Sequence, residues 1–355
     1  MHWVLHLQLR EVLADIRNAT PKIITNKTNF FISIMFILTA KIQIKSEKTW
    51  TFEKIVSVEI EKNAEMLTTT CKITLPKKIK WLGEDNMPLE RGNEVKVWLG
   101  YDQPDQLAFC GYITKIGAKT PIVIECEDDM WKLKSIPANK KAYASATIKQ
   151  ILNDQNLPYE TSVFGEQSLG SYRVDCNNVA ELLGAWREQG VRSFFKYDGI
   201  GESTLHCGVI FDRNTNRVQV FDDSKNMINS DGLNWQCAKD IKIKVKAVSL
   251  DSKNKKITVE EGDKDGEIRT LHATNKTEKE LREWAKQELV RLKRDGLTGT
   301  FETFGAFLVD RGDVIGVIMD GKKRGIYQVK KNTIRYGAGG FRQSVEIGDR
   351  MDGAE

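Results

Sequence analysis

The chain has 355 residues, of which 40% are hydrophobic and 29% are charged, and its formal net charge is +5. This length and balance predict two or three globular domains and exclude a disordered chain. The lysines and arginines form no dense block, which argues against a nucleic-acid-binding arm. The six cysteines form no C-x-x-C pair, so we expect reduced thiols rather than a zinc ribbon or a redox motif.

Residues 1–34 are interpreted as a doubtful N-terminal leader. The apolar run from Phe30 to Ala40 covers 11 residues, whereas a membrane-spanning helix needs about 20. A secretory signal is disfavoured because the segment before the run is long and acidic at Glu11 and Asp15. From Phe36 the run alternates as a strand does, so Met35 is the expected start of translation and no stable membrane insertion is expected.

Residues 35–134 are predicted to form a first small β-barrel. Short alternating runs such as "EVKVWLG" and "PIVIECED" are separated by turn residues, which is typical of a small barrel. The turn residues are Pro76, Gly83, Pro88, Gly92, Gly117 and Pro121.

Residues 135–232 are predicted to form an α+β insert. "SATIKQILNDQNLP" indicates a helix capped by Ser145, and "NVAELLGAWREQG" indicates another that begins at Asn178 and ends at Gly190. "RSFFKYDGIGESTLHCGVIF" then predicts two strands around a glycine-rich turn.

Residues 233–350 are predicted to form a second β-barrel with one long helix, and residues 351–355 a short tail. Thr277 and Glu280 fit a capping box at the start of that helix, and Gly296 is its expected end. The segment "KKITVEEGDKDGEIRTLHAT" before the helix predicts a hairpin, and three strands follow it.

One sequence pattern occurs twice. Arg91-Gly92-Asn93 opens a strand in the first region, and Arg311-Gly312-Asp313 opens one in the last. In both places a turn is followed by three strands, and the third strands align Glu125 with Glu346 and Asp128 with Asp349. Agreement in order and spacing predicts two related small β-barrels flanking an α+β insert, which is an α+β fold class.

The segments "AFCGYITKIGAKTPIVIECEDDMWKLK" and "RGDVIGVIMDGKKRGIYQVKKNTIRYGAGGFRQSVEIGD" carry a resemblance to a known family. They resemble the closing strands of the two barrels in baseplate hub proteins of contractile phage tails, the group of late control protein D and the Mu-like tail proteins. The resemblance covers about residues 36–350 and matches the insert weakly.

The resemblance implies a virion structural protein of a phage, a prophage or another contractile injection system, assembled in the bacterial cytoplasm and located in the tail baseplate. It implies a homotrimer whose two barrels per chain give six barrel positions. The implied partners are a spike protein trimer, tail-tube subunits and baseplate wedge proteins, with DNA only as passing cargo. Duplication and trimerisation together let a threefold assembly present six similar surfaces.

No residues are assigned to catalysis, to a cofactor or to a metal, and the chain is predicted not to be an enzyme. His206 and Cys207 are neighbours on a strand, so their side chains point to opposite faces. The pairs Asp128-Asp129 and Asp222-Asp223 are interpreted as solvated charges at strand ends rather than an acid/base couple.

Three short motifs are interpreted as turns. Arg311-Gly312-Asp313 spells a cell-adhesion tripeptide, but its counterpart at Arg91 favours a barrel turn. "GDKDGE", Gly262 to Glu267, lacks the later acidic positions of a calcium loop and is predicted to be a hairpin turn. "GAGG", Gly337 to Gly340, precedes no helix and no Lys-Ser/Thr, which argues against a phosphate loop.

Lys242, Lys244 and Lys246 form one basic stripe on a predicted strand. The preferred interpretation is a solvated or edge-protecting strand face. The alternative is a surface for an acidic partner or a channel wall that DNA passes.

Two other functions are compatible with the sequence. A tail-associated peptidoglycan hydrolase would need a catalytic constellation that the sequence does not display. The other is a β-barrel module that binds single-stranded nucleic acid or sugar, which a salt-dependent gel shift at low ionic strength would support.

Overall fold

The computed structural model describes residues 37–79, 81, 87–103, 106–164, 168–188, 190–199, 201–208, 218–250, 255–274 and 276–352. The described part is β-rich with four α-helices, so the α+β class is confirmed. The predicted leader, including Met35, lies outside the described residues, as does most of the short C-terminal tail.

Fourteen strands belong to one large sheet, whose hydrogen-bonding order is β14-β19-β22-β21-β3-β4-β7-β6-β5-β1-β2. Strand β13 pairs with β20, β20 pairs with β21, and β15 pairs with β19. The strands from the first third of the chain are β1 Leu38–Lys45, β2 Thr49–Phe52, β3 Ser57–Asn63, β4 Thr70–Thr74, β5 Glu94–Tyr101, β6 Gln106–Ile116 and β7 Val123–Glu127. Those from the rest are β13 Gln219–Asp222, β14 Met227–Asn229, β15 Leu233–Gln236, β19 Gly296–Phe304, β20 Val314–Met319, β21 Lys322–Gly337 and β22 Gly340–Arg350.

Several strands of the large sheet, such as β1, β3 and β5, bury alternate residues, as the sequence predicts. In β5, Val95, Val97 and Leu99 are fully buried, while the residues between them are partly exposed. Their cluster includes β1, β3, β4 and β7, and also side chains of β21 and β22. The C-terminal hairpin therefore completes the core of the N-terminal strands.

Strand β21 connects the N-terminal strands of the large sheet with the C-terminal strands. Its first part pairs with β20, and its second part, Lys331 to Gly337, pairs antiparallel with β3 from Asn63 to Ser57. Strand β22 pairs along much of β21. The two halves of the sheet are thus connected by continuous backbone hydrogen bonding.

The middle of the chain forms two small sheets packed with three helices. The strands pair as β10-β8 and as β11-β12-β9. They are β8 Ala142–Thr147, β9 Glu160–Phe164, β10 Ser168–Arg173, β11 Arg192–Tyr197 and β12 Ser203–Gly208. The helices are α1 Met130–Leu133, α2 Ile148–Asp154 and α3 Val179–Glu188.

Local capping decides where these helices begin. The side chain of Thr147 accepts the Gln150 N–H at the start of α2, so the predicted cap at Ser145 is wrong by two residues. At α3 the side-chain oxygen of Asn178 accepts the Glu181 N–H at 2.9 Å, as predicted. Gly190 follows that helix at φ +87°, a conformation in which glycine carries no Cβ penalty.

A third unit contains α4 Glu278–Leu292 and a sheet of β16 Ile243–Leu250, β17 Lys256–Gly262 and β18 Glu267–Thr274. The predicted capping box of Thr277 and Glu280 is confirmed. The predicted hairpin is wrong, because β17 and β18 each pair with β16 and lie on opposite sides of it. The helix ends at Leu292, and Gly296 instead begins β19.

Buried apolar side chains form four clusters in the described residues. They correspond to the two halves of the large sheet, the insert, and the unit of β16–β18 with α4. The domain limits at residues 134, 232 and 350 stay predictions.

Candidate assembly surface

The first copy of the repeated turn is held by a compact set of hydrogen bonds. Gly92 has φ +93°, and its N–H donates to the Ile113 carbonyl at 2.8 Å. The Ile113 N–H donates in turn to the Asn93 backbone carbonyl at 2.9 Å. The Asn93 side chain accepts the Glu90 N–H at 2.8 Å, which closes the turn.

The second copy repeats this arrangement atom for atom. Gly312 has φ +81°, and its N–H donates to the Val329 carbonyl at 2.8 Å. The Val329 N–H donates to the backbone carbonyl of Asp313 at 2.8 Å. The Asp313 carboxylate accepts the Asp310 N–H at 2.7 Å, in the role of Asn93. The prediction that both tripeptides are equivalent turns is confirmed.

The strands after each turn also match. The order turn, strand, strand, strand gives β5-β6-β7 in one copy and β20-β21-β22 in the other, all antiparallel. Register shifts follow Ile113 in β6 and Val329 in β21, at corresponding positions. Across the last pair, Lys115 faces Glu125 and Lys331 faces Glu346, which confirms the predicted alignment of the two glutamates.

The two arginines of the turns have different environments. Arg91 is exposed, whereas Arg311 is fully buried. The Arg311 guanidinium donates to Asp128 at 3.3 Å and to the Phe195 carbonyl at 3.2 Å, and it lies 4.9 Å from the Phe194 ring centre. Arg311 therefore connects the C-terminal turn, the N-terminal sheet and the insert, and it is inaccessible to an adhesion receptor.

Asp128 and Asp129 are buried, so the prediction of solvated charges is wrong for this pair. Asp128 accepts the N–H groups of Thr69 and Met130 in addition to the Arg311 contact. Burial raises the pKa of Asp128, and the charge of Arg311 opposes that rise. No local pattern indicates this burial, because Arg311 lies far along the chain.

Asp129 organises a group of tyrosines beside that contact. Its carboxylate accepts the hydroxyls of Tyr159 at 3.0 Å and Tyr112 at 3.3 Å. Burial first, and then the Asp129 charge, raises the pKa of Tyr159 well above its usual range. These phenols stay neutral hydrogen-bond donors. Through Asp129 they connect β6, which carries Tyr112, with the insert, which carries Tyr159.

Asp222 is also buried rather than solvated. Its carboxylate accepts the Ser224 N–H at 2.9 Å and the Lys225 ammonium at 2.6 Å, within one turn. The hydrogen bond from Lys225, followed by that from Ser224, lowers the pKa of Asp222 to about 2. Asp222 thus stabilises the turn between β13 and β14.

His206 and Cys207 point to opposite faces of β12, as predicted. Cys207 is fully buried in the insert core, and burial raises the pKa of its thiol to about 12. His206 stacks on Phe164 at 5.4 Å and on Phe194 at 6.0 Å between ring centres. A protonated thiol is a poor nucleophile, so this geometry provides no activated Cys/His couple.

His206 is expected to make the protein sensitive to mild acid. Burial first, and then the charge of Lys196, lowers the pKa of His206 from 6.5 to about 4. Between these pH values the unfolded state binds the extra proton, so stability rises with pH there and is lost as pH falls. Solvent reaches part of the ring and screens the effect. We therefore expect acidification to lower the free energy of unfolding by about 1–2 kcal/mol through His206.

Urea unfolding at pH 7 and pH 4.5 checks this for the wild type and for His206→Phe, which keeps an aromatic ring in the stack. The variant should lose less stability on acidification, by the amount expected for His206. An identical pH dependence in both proteins would contradict the role of His206. Comparing the two proteins cancels the titration of carboxyl groups common to both.

Lys244 and Lys246 lie on β16, the central strand of its sheet, and Lys242 precedes it, so the edge-protecting interpretation is wrong. Lys244 and Lys246 approach Glu260 of the neighbouring strand at 3.8 and 3.9 Å. Lys242 lines a cleft of about 330 Å³ between this sheet and the ends of β19 and β22. The face is partly solvated, and the channel-wall alternative stays a prediction.

The two glycine-containing motifs have structural roles. Gly337 and Gly340 are the paired ends of the β21-β22 hairpin. In the segment from Gly262 to Glu267, Asp263 accepts the Ile243 N–H at 3.0 Å and pairs with Lys293 at 2.6 Å. That segment crosses the end of β16 and is not the predicted hairpin turn.

Within the described ranges, no group of three or more His, Cys, Asp or Glu residues could hold a metal ion. No described helix has both the length and the apolar character needed to cross a bilayer.

Solved structures of tail proteins, one of them from a prophage, share this fold. A tail protein from Neisseria meningitidis MC58 is 14% identical with a TM-score of 0.60, covering 89% of this chain and 97% of that one. The 43 kDa tail protein of prophage MuSo2 from Shewanella oneidensis is 13% identical with a TM-score of 0.54, covering 87% and 96%. The predicted resemblance to this group is therefore confirmed at the level of the fold.

A third similar structure is that of the E. coli c3393 protein, a component of the type VI secretion system that resembles T4 tail proteins gp27 and gp5. It is 10% identical with a TM-score of 0.53, covering 88% of this chain and 77% of that one. No family model matches the sequence, and no curated protein matches it.

Proposed function

We propose that this protein is a structural baseplate hub of a phage tail or of a related contractile injection machine. The supporting fold similarity extends over 89% of the chain and includes tail proteins from two bacterial sources. The protein acts by assembly, as a non-enzymatic component of the late control protein D type. Its location is the tail baseplate of a virion, formed in the bacterial cytoplasm.

The observation that carries the proposal is the internal duplication. Two copies of one turn, with the same hydrogen bonds around Gly92 and Gly312, each lead into the same three antiparallel strands. We interpret the two halves of the large sheet as two related small barrels that flank the insert. Three chains would then provide six similar barrel positions around a closed ring.

Such a ring adapts a sixfold tail tube to a threefold spike. The proposed partners are tail-tube subunits on one side, a spike trimer on the other, and baseplate wedge proteins around the ring. DNA passes through as cargo and forms no lasting complex. A symmetry adapter requires shape and rigidity rather than a reactive group. The paired, buried carboxylates of Asp128 and Asp222 and the buried thiol of Cys207 fit such a role.

The purified protein is expected to have three times the chain mass in solution, because a ring closes only when every interface is satisfied. Multi-angle light scattering over a range of concentrations measures this mass. A monomer at every concentration, or a dimer, would contradict the ring. A peptidoglycan zymogram is the companion control, since lysis by the pure protein would favour a hydrolase.

A further inference from the structure

Each copy of the repeat leaves a different edge open. In the second copy, β21 continues past its bulge and pairs with β3 of the first copy. In the first copy, the corresponding end of β6, from Thr114 to Ile116, pairs with β7 alone among the described residues. The β21–β3 pairing therefore has a counterpart edge on β6 that no second described strand of the chain occupies.

Strand β15 is the counterpart of β3. Ile60 of β3 lies opposite Cys71, and Leu233 of β15 lies opposite Gly299. Cys71 faces Cys126 of β7, and Gly299 faces Ile347 of β22. Cys126 and Ile347 occupy matching positions in the two copies, so Cys71 and Gly299 correspond as well. Among the described strands β15 pairs only with β19, so its outer edge is open.

We propose that these two open edges pair with each other between neighbouring chains, in the register that β21 and β3 use within a chain. This inference rests on the proposed trimeric ring and identifies its interface. Lys331 faces Asn63 within the chain, so Lys115 of one protomer faces Gln236 of the next. Ile116 then faces Trp235, a half-exposed tryptophan whose ring centre lies 5.9 Å from the Arg324 guanidinium.

The buried ion pair has a counterpart in the same interface. Within the chain, Arg311 of the second turn reaches Asp128 at the end of β7. The corresponding residues are Arg91, exposed in the first turn, and Asp349, which lines the cleft beside β22. The Arg91 turn of one protomer therefore approaches Asp349 of the next.

Physical requirements favour a second copy as the occupant of these edges. An interface that repeats head to tail closes into a ring when the rotation between subunits allows it. An open strand edge is satisfied by backbone pairing with another strand, and the chain already shows that the two edge types are complementary. The arginine and the aspartate add charge complementarity that fixes the register.

A disulfide tests the register directly. Opposite residues of an antiparallel pair have Cα atoms about 4.5–5.5 Å apart, which a disulfide spans. Lys115→Cys with Gln236→Cys, in a Cys237→Ser background, should form a covalent trimer on mild oxidation. Reduction should release single chains on a denaturing gel. The Cys237→Ser change removes a natural thiol that would otherwise compete at this position.

The matched control replaces Lys115 with another open edge. Thr51 lies on β2, the terminal strand of the sheet, and is exposed. Thr51→Cys with Gln236→Cys should give no covalent trimer, and neither should either single cysteine variant. Equal crosslinking through Thr51 would overturn the proposed pairing.

Charge exchange gives an independent measurement. Arg91→Glu and Asp349→Arg should each raise the trimer dissociation constant about tenfold, and the double variant should restore it to within about threefold. Arg173→Glu, at an exposed arginine of the insert, should leave it unchanged. Single variants without effect would overturn the Arg91–Asp349 contact.

The outcomes separate this inference from the ring itself. A native trimer that gives no crosslink between positions 115 and 236 overturns the interface and leaves the ring standing. A protein that stays monomeric at every concentration rejects the ring and the interface together. A covalent trimer that requires both cysteines supports both.

Discussion

Replacing Arg311 with methionine is expected to lower the free energy of unfolding by about 3–5 kcal/mol at pH 7. The change leaves the Asp128 carboxylate buried without the cation that faces it at 3.3 Å. It also removes the guanidinium from the Phe195 carbonyl and from the Phe194 ring. The measurement is equilibrium urea unfolding of the wild type and the variant.

The penalty should become smaller as pH falls from 7 to 5. Burial already raises the pKa of Asp128 with Arg311 present. Without that cation the folded pKa rises further, so the folded state takes up a proton before the unfolded state does. Folded Arg311→Met protein therefore gains stability relative to the wild type on mild acidification.

Arg335→Met is the matched control, because Arg335 contacts Glu59 at 3.2 Å with both side chains exposed. An exposed pair contributes about 0–1 kcal/mol, so this variant should resemble the wild type. Asp128→Asn combined with Arg311→Met should recover part of the loss, since neither charge then stays buried alone. Equal effects of Arg311→Met and Arg335→Met would contradict the structural role of Arg311.

The difference between Arg91 and Arg311 shows what the sequence could predict. The glycine at positive φ and the Asn or Asp that closes each turn act within four residues, so both turns were predicted correctly. The same holds for the caps at Asn178 and Thr277. The tripeptides themselves differ only in their last residue, so nothing local indicates which arginine is buried.

Non-local pairing explains the errors. Strands β17 and β18 follow each other and suggest a hairpin, but β16 lies between them because it pairs with both. Asp128 and Asp129 resemble an exposed strand end in the sequence. The fold brings Arg311 to Asp128, and it brings Tyr112 and Tyr159 to Asp129. Burial of a charge depends on its partner, and a partner far along the chain leaves no local pattern.

Replacing Phe341 with alanine is expected to destabilise the N-terminal half of the sheet although the residue lies near the C-terminus. Phe341 is fully buried among N-terminal strands. Its ring centre lies 5.5 Å from that of Tyr101, whose hydroxyl donates to the Phe341 carbonyl at 2.6 Å. Loss of a buried phenylalanine side chain costs about 3–5 kcal/mol in transfer and cavity energy.

Gly305 indicates how closely the ring is packed. A Cβ at Gly305 would lie 2.4 Å from the Phe341 ring, so the backbone of the β19–β20 connection rests directly on it. The cavity left by alanine is bounded by this backbone and by strand residues, which limits its collapse. The loss is therefore expected in the upper part of that range.

Phe304→Ala is the matched control, because Phe304 lies on the same sheet with half of its surface exposed. It should cost less than about 1 kcal/mol, since little apolar area is lost from a buried environment.

Urea unfolding followed by tryptophan fluorescence and by circular dichroism measures both variants. For Phe341→Ala the two signals should shift together to lower urea, because Phe341 lies in a core shared by both ends of the chain. Separate transitions, with the tryptophans of the N-terminal strands unaffected, would contradict that shared core and remove the rigid joint on which the proposed ring depends.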